Sequence, residues 1–135
     1  YVEPTLVDCG EPEAAVPANY NLIGYVGEQV GRQSFFGQGA GRFPTASNVV
    51  QDCLTILAGD RASYTDRVAP VALDLTAEAH PYYVRTGRPD AFLRSVAADT
   101  WGAGVVTGAV NTGEMLAWAK RQLAADPACF IAGIR

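Results

Sequence analysis

One stretch in the first half of the chain carries apolar residues at the spacing of a single helix face. Relative to the first of them, they fall at offsets of zero, three, four, seven, eight and eleven: Ala46, Val49, Val50, Cys53, Leu54 and Leu57. This spacing is typical of an amphipathic α-helix. Pro44 suits the first turn of such a helix, and Gly59 suits its end. We therefore predict a helix between these two residues, with Cys53 as a small residue of its apolar face.

The residues before this helix predict short strands. Val2, Pro4 and Leu6 begin an extended segment in the first part of the chain. Residues 22–26 and 30–36 predict a hairpin, because two β-prone runs flank a turn that contains glycine. From Asp60 to about Ala79 the sequence becomes small and polar, which is typical of a connection, and residues 71–75 predict a short strand or helix within it.

The second half alternates between strand and helix patterns. Residues 82–86 predict a strand, Pro89 and Asp90 open a helix, and residues 102–110 predict the next strand. Thr112 is expected to cap a second helix that runs to about Ala125, and residues 129–134 predict the last strand. The order strand, helix, strand, helix, strand predicts a sheet with both helices on one face. Trp101 and Trp118 are expected to anchor its core.

Size and charge restrict the classes of function. The chain has 135 residues, of which 49% are hydrophobic and 18% charged, which is typical of one globular domain or two small ones. A net charge of −4 argues against nucleic-acid and anionic-membrane partners. No apolar run approaches the roughly 20 residues that span a bilayer. Because the chain opens on Tyr1 without a methionine, we expect it to be a piece of a longer polypeptide.

The cysteines predict neither a metal site nor a disulfide framework. Cys9, Cys53 and Cys129 are widely spaced and odd in number, and His80 is the only histidine that could join them. Free thiols in a reducing cytoplasm fit this pattern better.

The segment from Phe35 to Pro44 is the strongest candidate for a binding site. An aromatic pair leads into three alternating glycines, and the proline then opens the helix. This order places bare backbone N–H groups at a helix N-terminus, where an anionic group such as a phosphate can bind. Gly39 and Gly41 have access to backbone angles closed to other residues, or admit a ligand close to the main chain. The glycine spacing alone favours the alternative of a tight turn without a ligand.

Other polar residues do not form a complete catalytic site. Arg42 is a candidate to neutralise a phosphate, although a solvated arginine is the commoner outcome. Asp90 is expected to interact with a helix dipole and Arg88 to be solvated. The remaining candidates are scattered and lack the spacing of paired carboxylates, a metal site or a nucleophile motif: Ser34, Ser47, Asp52, Asp60, Ser63, Asp66, Asp74, His80 and Lys120.

The run from Asn21 to Asp52 resembles the C-terminal part of the catalytic region of homoserine dehydrogenases. The shared positions follow one another in order: Asn21-Leu22-Ile23, Gly27-Glu28, Val30-Gly31, Phe35-Phe36, Gly37 through Gly41, Pro44-Thr45-Ala46-Ser47, Val49-Val50 and Asp52. The resemblance covers roughly the first 58 residues. It implies an oxidoreductase that interconverts homoserine and aspartate semialdehyde with NAD or NADP, in the amino-acid biosynthesis that leads to threonine and methionine.

The same resemblance assigns part of a cofactor site. It implies that Gly41 contacts the nicotinamide cofactor, with Gly39, Ala40 and Thr45 as neighbours in that contact. The catalytic lysine, the substrate-binding acids and the nucleotide-binding unit lie upstream in the family, so no catalytic or metal-binding residue is assigned in this chain. A cytoplasmic protein that acts on a small molecule and forms a homodimer or higher homo-oligomer is implied.

The second half resembles the small regulatory ACT domain that often follows this catalytic region. Residues 82–85 are similar to its opening strand and residues 131–135 to its last. Its effector-loop pattern becomes Gly87-Arg88-Pro89-Asp90, and the segment between the helices is expected to be too short for the usual pair of strands. The fold class is therefore α+β: a small mixed sheet with one helix over residues 1–62, a connection over 63–79, and an ACT-like (ferredoxin-like) β-α-β-α-β module over 80–135. A non-catalytic module for metabolite sensing or dimerisation is the alternative.

Overall fold

The computed structural model describes residues 2–61, 72 and 74–135. Besides a short 3-10 helix at Pro12–Ala15, these residues form strands and α-helices in the following chain order: β1 (Thr5–Leu6), β2 (Tyr20–Gly27), β3 (Gly31–Gln38), α1 (Arg42–Leu57), β4 (Ala79–His80), β5 (Tyr82–Arg85), α2 (Ala91–Val96), β6 (Ala97–Trp101), β7 (Gly104–Thr107), β8 (Val110–Asn111), α3 (Thr112–Ala125) and β9 (Phe130–Ile134). The protein is thus a mixed α+β structure, as the sequence predicts. It divides into two compact units, one of residues 9–70 and one of residues 1–8 with 71–135.

The unit of residues 9–70 consists of a hairpin and a helix. β2 and β3 pair antiparallel, with Ile23 opposite Phe35 and Gly27 opposite Gly31 at the turn. Stacked aromatic pairs reinforce the ladder, with ring centroids 5.0 Å apart for Tyr20 and Phe36. The predicted hairpin and the predicted helix α1 are both confirmed. Gly59 follows α1 with φ of +87°, a conformation that favours glycine after a helix end.

The apolar face of α1 is exposed, which corrects one expectation. No residue of α1 is buried, and Cys53 is exposed rather than part of a core. Leu54 is 55% exposed and Leu57 is 83% exposed. The spacing of the apolar residues was sufficient to predict the helix, but it does not show whether another part of the protein covers the apolar face.

The second unit contains a five-stranded sheet in the order β1-β9-β5-β7-β6. In the series β9, β5, β7, β6 each strand pairs antiparallel with the next, whereas β1 joins β9 in parallel, with Thr5 opposite Gly133. Thr5 and Leu6, which the sequence groups with the first part of the chain, therefore extend the sheet of the unit that contains residues 71–135 (the C-terminal unit). The predicted domain division at residue 62 stays a prediction.

Both helices of this unit pack on one face of the sheet, as predicted. The core joins residues of α2 and α3 to those of β5 and their neighbours: Tyr82, Val84, Leu93, Val110, Met115, Trp118 and Cys129. Tyr82 and Val84 alternate with Tyr83 along β5, so they point to the helix side while Tyr83 points to the opposite face.

The region between α2 and α3 differs from the prediction. A strand was expected over residues 102–110, but β6 and β7 form a hairpin through Gly102, whose φ is +58°, and Val110 belongs to the separate strand β8. The segment is therefore long enough for a pair of strands, and the order of the elements that form the five-stranded sheet and its helices, from β5 to β9, is β-α-β-β-α-β, with β8 pairing separately with β4. The alanine-rich start of β6 carries little β propensity, so its pairing with β7 decides its conformation.

Two single-residue expectations are also corrected. Trp118 is 1% exposed and anchors the core, but Trp101 is 62% exposed. Asn111, not Thr112, caps α3, because its side-chain oxygen accepts hydrogen bonds from the N–H groups of Gly113 and Glu114. Thr112 is already helical, and its hydroxyl donates to Glu78 O at 3.2 Å. The predicted element at residues 71–75 falls largely outside the described residues.

Candidate functional site

Residues 39–41, the glycine loop, connect β3 to α1. β3 ends at Gln38, and α1 begins at Arg42 with Gly41 as its N-cap. Gly41 has φ of 116° and ψ of 155°, a region of backbone conformation that is essentially restricted to glycine. Its carbonyl oxygen accepts the first helical hydrogen bond, from Thr45 N at 3.1 Å. Gly41 is thus required by the abrupt change of direction between strand and helix.

Gly39 is a glycine for a different reason. A Cβ atom at this position would overlap the side-chain amide of Asn21. The backbone of Gly39 is also fixed, because its N–H donates to Asn19 O at 3.2 Å. Gly39 therefore permits a close approach to strand β2, while Gly41 permits an unusual backbone angle.

The N-terminus of α1 carries unsatisfied donors. The helix has no side-chain cap, and no acidic residue lies in its first turn. Within the described part of the chain, no hydrogen bond is found for the backbone N–H groups of Gly41, Arg42 and Phe43. Such groups, together with the positive end of the helix dipole, favour an anion. The guanidinium of Arg42 lies 4.6 Å from the ring centroid of Phe43 and adds a positive charge at this end.

The structure brings the predicted cofactor-binding residues together at this helix end. Gly39, Ala40 and Gly41 form the loop, and Thr45 lies in the first turn with its N–H bound to Gly41. A shallow depression of about 270 Å³ lies beside the loop and is lined by hairpin residues and by Gly39. The arrangement fits a phosphate or another anionic part of a dinucleotide, because it offers donors without a side chain in front of Gly41.

Sequence reasoning missed Asn19. Its side-chain Nδ2 donates to Ala40 O at 2.7 Å, while its own carbonyl oxygen binds Gly39. The residue before it, Ala18, has a positive φ of 45°. An asparagine beside a turn is a common sequence feature, so the only available signal was its capacity to bind a neighbouring backbone through its amide.

Among the other candidate residues, His80 makes a contact within its own unit. His80 contacts Glu3, with 3.0 Å between His80 Nε2 and Glu3 Oε1. Among the described residues, no three His, Cys, Asp or Glu side chains are grouped so that they could bind a metal ion. In the same part of the chain, no helix has both the length and the apolar character needed to cross a membrane. Ser63 and Asp66 lie outside the described residues.

The predicted effector-loop segment, Gly87 to Asp90, uses its polar groups within the protein. The Asp126 carboxylate accepts hydrogen bonds from the Thr86 hydroxyl at 2.6 Å and from Gly87 N at 2.9 Å. The Thr86 bond, followed by those from the N–H groups of Gly87 and Ala128, lowers the pKa of Asp126. Arg88 is not simply solvated, because its guanidinium donates to Ala125 O at 2.9 Å. The segment is therefore tied to the C-terminal end of α3.

Comparison with known proteins gives sequence matches that cover part of the chain. A family profile described as homoserine dehydrogenase matches residues 1–54. The homoserine dehydrogenase of Bacillus subtilis is 39% identical over 64 residues, which are 47% of this chain and 15% of that protein. The homoserine dehydrogenase of Synechocystis is 43% identical over 56 residues, or 42% of this chain and 13% of that protein. The chain therefore corresponds to a small fraction of these relatives' length.

The fold has a counterpart in solved structures over almost the whole chain. The crystal structure of S. aureus homoserine dehydrogenase at pH 8.5 matches 97% of this chain and 36% of that chain, with a TM-score of 0.50 and 18% identity. At this identity the match shows a shared fold. The sequence matches carry the relationship, and they confirm the resemblance seen between Asn21 and Asp52: residues 1–54 of this chain are similar to homoserine dehydrogenases.

Proposed function

We propose that this chain is the C-terminal portion of a homoserine dehydrogenase-like oxidoreductase. The whole protein would interconvert homoserine and aspartate semialdehyde with NAD or NADP, in the amino-acid biosynthesis that leads to threonine and methionine. The observation that carries this proposal is the family match over residues 1–54, which includes the complete glycine loop and the start of α1. We further propose that the whole protein is cytoplasmic and forms a homodimer or higher homo-oligomer.

Within that protein, the loop would form one wall of the cofactor site. We propose that Gly41 contacts the nicotinamide cofactor, with Gly39, Ala40 and Thr45 as its neighbours. The free N–H groups at the start of α1 and the charge of Arg42 support this assignment, because both favour an anionic ligand. The cofactor would supply hydride chemistry, while these residues bind and orient it.

A substitution at Gly41 tests the cofactor contact. In the whole protein, Gly41→Val should abolish measurable NADPH binding by calorimetric titration, because valine does not adopt the Gly41 backbone angles and its Cβ would lie 3.4 Å from Asn19 Nδ2, so the loop must change shape. Gly59→Val is the matched control, since Gly59 also has a positive φ but lies at the other end of α1 with no neighbouring atom within 4 Å of an added Cβ. Equal NADPH affinity in the two variants would contradict the proposed contact.

We also propose that the chain alone has no dehydrogenase activity. By the family resemblance, the catalytic lysine, the acids that hold the substrate and the nucleotide-binding unit lie upstream. A spectrophotometric assay of the isolated 135-residue chain with homoserine and NADP should show no turnover. Detectable turnover that increases with the concentration of the purified chain would contradict this proposal.

We propose that residues 80–135 form an ACT-like module, with residues 1–62 as the catalytic part and 63–79 as the connection. The order β-α-β-β-α-β and the antiparallel sheet β9-β5-β7-β6 support it, because this order is that of ferredoxin-like domains. The alternative function, a non-catalytic metabolite-sensing or dimerisation module, rests on the same topology.

Titration with an amino acid separates the two functions. If the module senses a metabolite, threonine should bind to the chain with saturation, and Arg88→Ala should weaken binding. The internal hydrogen bonds of Arg88 and Thr86 favour a structural role for this segment instead. We therefore expect no heat of binding from threonine and saturable binding of NADPH to the whole protein.

A further inference from the structure

We propose that Asn19 is a positioning residue that directs the backbone amides of the glycine loop toward the cofactor. The inference deepens the proposed function and rests on it, because it concerns the residue behind the loop that would contact the nucleotide. The assignment of Asn19 rests on its two hydrogen bonds with the loop.

Asn19 holds two consecutive positions of the loop. Its carbonyl oxygen accepts the Gly39 N–H at 3.2 Å, and its side-chain Nδ2 donates to Ala40 O at 2.7 Å. The side-chain bond joins residues that are 21 positions apart in the sequence. Asn19, which lies in the turn directly before β2, therefore fixes both the position of the loop backbone and the orientation of its peptide groups.

The bond to Ala40 O determines where the Gly41 N–H points. No cis peptide bond is found in the described residues, so the Ala40–Gly41 peptide is trans. In a planar trans peptide, the carbonyl oxygen and the following N–H point in opposite directions. Because Asn19 binds the Ala40 oxygen, the Gly41 N–H is directed away from Asn19, and it makes no hydrogen bond within the described residues. Losing the Asn19 amide would leave this peptide free to rotate.

The turn that presents Asn19 is itself strained. Ala18 has φ of 45°, a left-handed conformation that alanine rarely adopts, and Tyr20 N donates to Pro17 O at 3.0 Å to close the turn. Residues in such conformations persist only where the surrounding structure fixes them, and they concentrate at functional sites. The strain at Ala18 therefore agrees with a requirement for Asn19 to face the loop.

Asn21 contacts the same loop in a different way. Its amide occupies the place that a side chain at position 39 would take, so it packs against Gly39. Packing of this kind constrains how close the loop lies to β2. It does not bind the Ala40 oxygen, so the direction of the Gly41 N–H depends on Asn19.

The test measures cofactor affinity and substrate KM separately in the whole protein. Asn19→Ala should raise the Kd of NADPH about tenfold, the change expected for one orienting hydrogen bond. Its KM for homoserine should change less than about twofold. A general loss of folding would instead lower the active fraction and leave both the NADPH Kd and the homoserine KM unchanged. Asn19→Gln retains an amide donor and should recover part of the affinity. The control Asn48→Ala removes an exposed amide from α1 and should leave both constants unchanged. NADPH affinity of Asn19→Ala within about twofold of the original protein would overturn the inference.

A second readout does not depend on cofactor binding. In the isolated chain, hydrogen exchange at the Gly39 amide should be several-fold faster in Asn19→Ala than in Asn48→Ala, because the loop loses its side-chain anchor and the bond from Gly39 N–H to Asn19 O opens more often. Absence of NADPH binding by the unmodified whole protein would contradict the proposed function, and the exchange rates would then decide on Asn19 alone. Unchanged exchange at the Gly39 amide would overturn the positioning role.

Discussion

Trp118 donates its indole N–H to Asp90 at 3.0 Å, and the other oxygen of the same carboxylate accepts the Leu93 N–H at 2.9 Å. Asp90 is the N-cap of α2, and Trp118 lies in the middle of α3. One carboxylate therefore caps one helix and holds the next. Since Trp118 is 1% exposed, its N–H depends on this partner.

Replacing Asp90 should destabilise the C-terminal unit strongly. Loss of an N-cap costs about 1 kcal/mol, and an unpaired buried donor costs about 1–3 kcal/mol. We therefore expect Asp90→Ala to lower the free energy of unfolding by about 2–4 kcal/mol, measured by urea denaturation with tryptophan fluorescence. Asp99→Ala is the control, because Asp99 is exposed and accepts a hydrogen bond from the N–H of the adjacent Thr100, so its loss should cost less than about 0.5 kcal/mol. Similar losses for both variants would contradict the role of Asp90.

Acid should destabilise the same unit through Asp90 and Asp126. The Leu93 N–H, and then the Trp118 indole, lower the pKa of Asp90, and the Thr86 hydroxyl does the same for Asp126. A carboxyl with a lowered folded pKa stabilises the protein above its unfolded pKa of about 4, and this stability is lost as the pH falls through the folded pKa. We expect the urea midpoint to be nearly constant between about pH 5 and pH 7 and to fall below about pH 4.

The double variant Asp90→Asn with Asp126→Asn isolates these two groups. It should be less stable than the original chain at neutral pH, but its stability should change less between about pH 4 and pH 2, because neither position titrates. If the two proteins lose stability in parallel over this range, other carboxyls are responsible for the acid sensitivity.

Local patterns were sufficient to predict much of the fold. The helical period between Ala46 and Leu57 predicted α1, and the β-prone runs around Gly27 predicted the β2–β3 hairpin, because both elements are formed by residues close in the sequence. The glycine loop was located for the same reason. Its two glycines, Gly39 and Gly41, were expected to permit an unusual angle or a close approach, and the structure gives one of each.

Contacts between distant residues could not be predicted in this way. The parallel pairing of Thr5 with Gly133 joins opposite ends of the chain, and neither residue carries a signal for the other. The sequence also could not distinguish the buried Trp118 from the exposed Trp101. Asn19 was missed because its function depends on Ala40, a residue brought close only when the hairpin forms.

Gly104 should be intolerant of substitution because of Tyr83. A Cβ at position 104 would overlap the Tyr83 ring, which lies on the sheet face opposite the helices, with its centroid 5.5 Å from that of Trp101. Gly104→Ala would force this ring to move, at a cost of about 1–3 kcal/mol in the free energy of unfolding. Chemical denaturation should show this loss.

The control for this substitution is Gly108→Ala, which places the new methyl 4.0 Å from its nearest neighbour and should be far less destabilising. If the Tyr83 ring is the cause, the double variant Tyr83→Ala with Gly104→Ala should lose less stability than the sum of the single changes. Additive losses would attribute the effect of Gly104→Ala to the backbone instead.

The two tryptophans should give clearly different fluorescence, because both belong to the C-terminal unit but only one is buried. Trp118 packs against Phe92, with ring centroids 5.5 Å apart, whereas Trp101 is 62% exposed on edge strand β6. In Trp101→Phe the remaining emission should be blue-shifted and poorly quenched by acrylamide. In Trp118→Phe the remaining emission should be red-shifted and readily quenched. This variant should also lower the free energy of unfolding by about 1–3 kcal/mol, because the Phe ring fills less of the core and leaves Asp90 without the indole donor. Strong quenching in both variants would mean that Trp118 is open to solvent, and the packing of α3 on the sheet would have to be rejected.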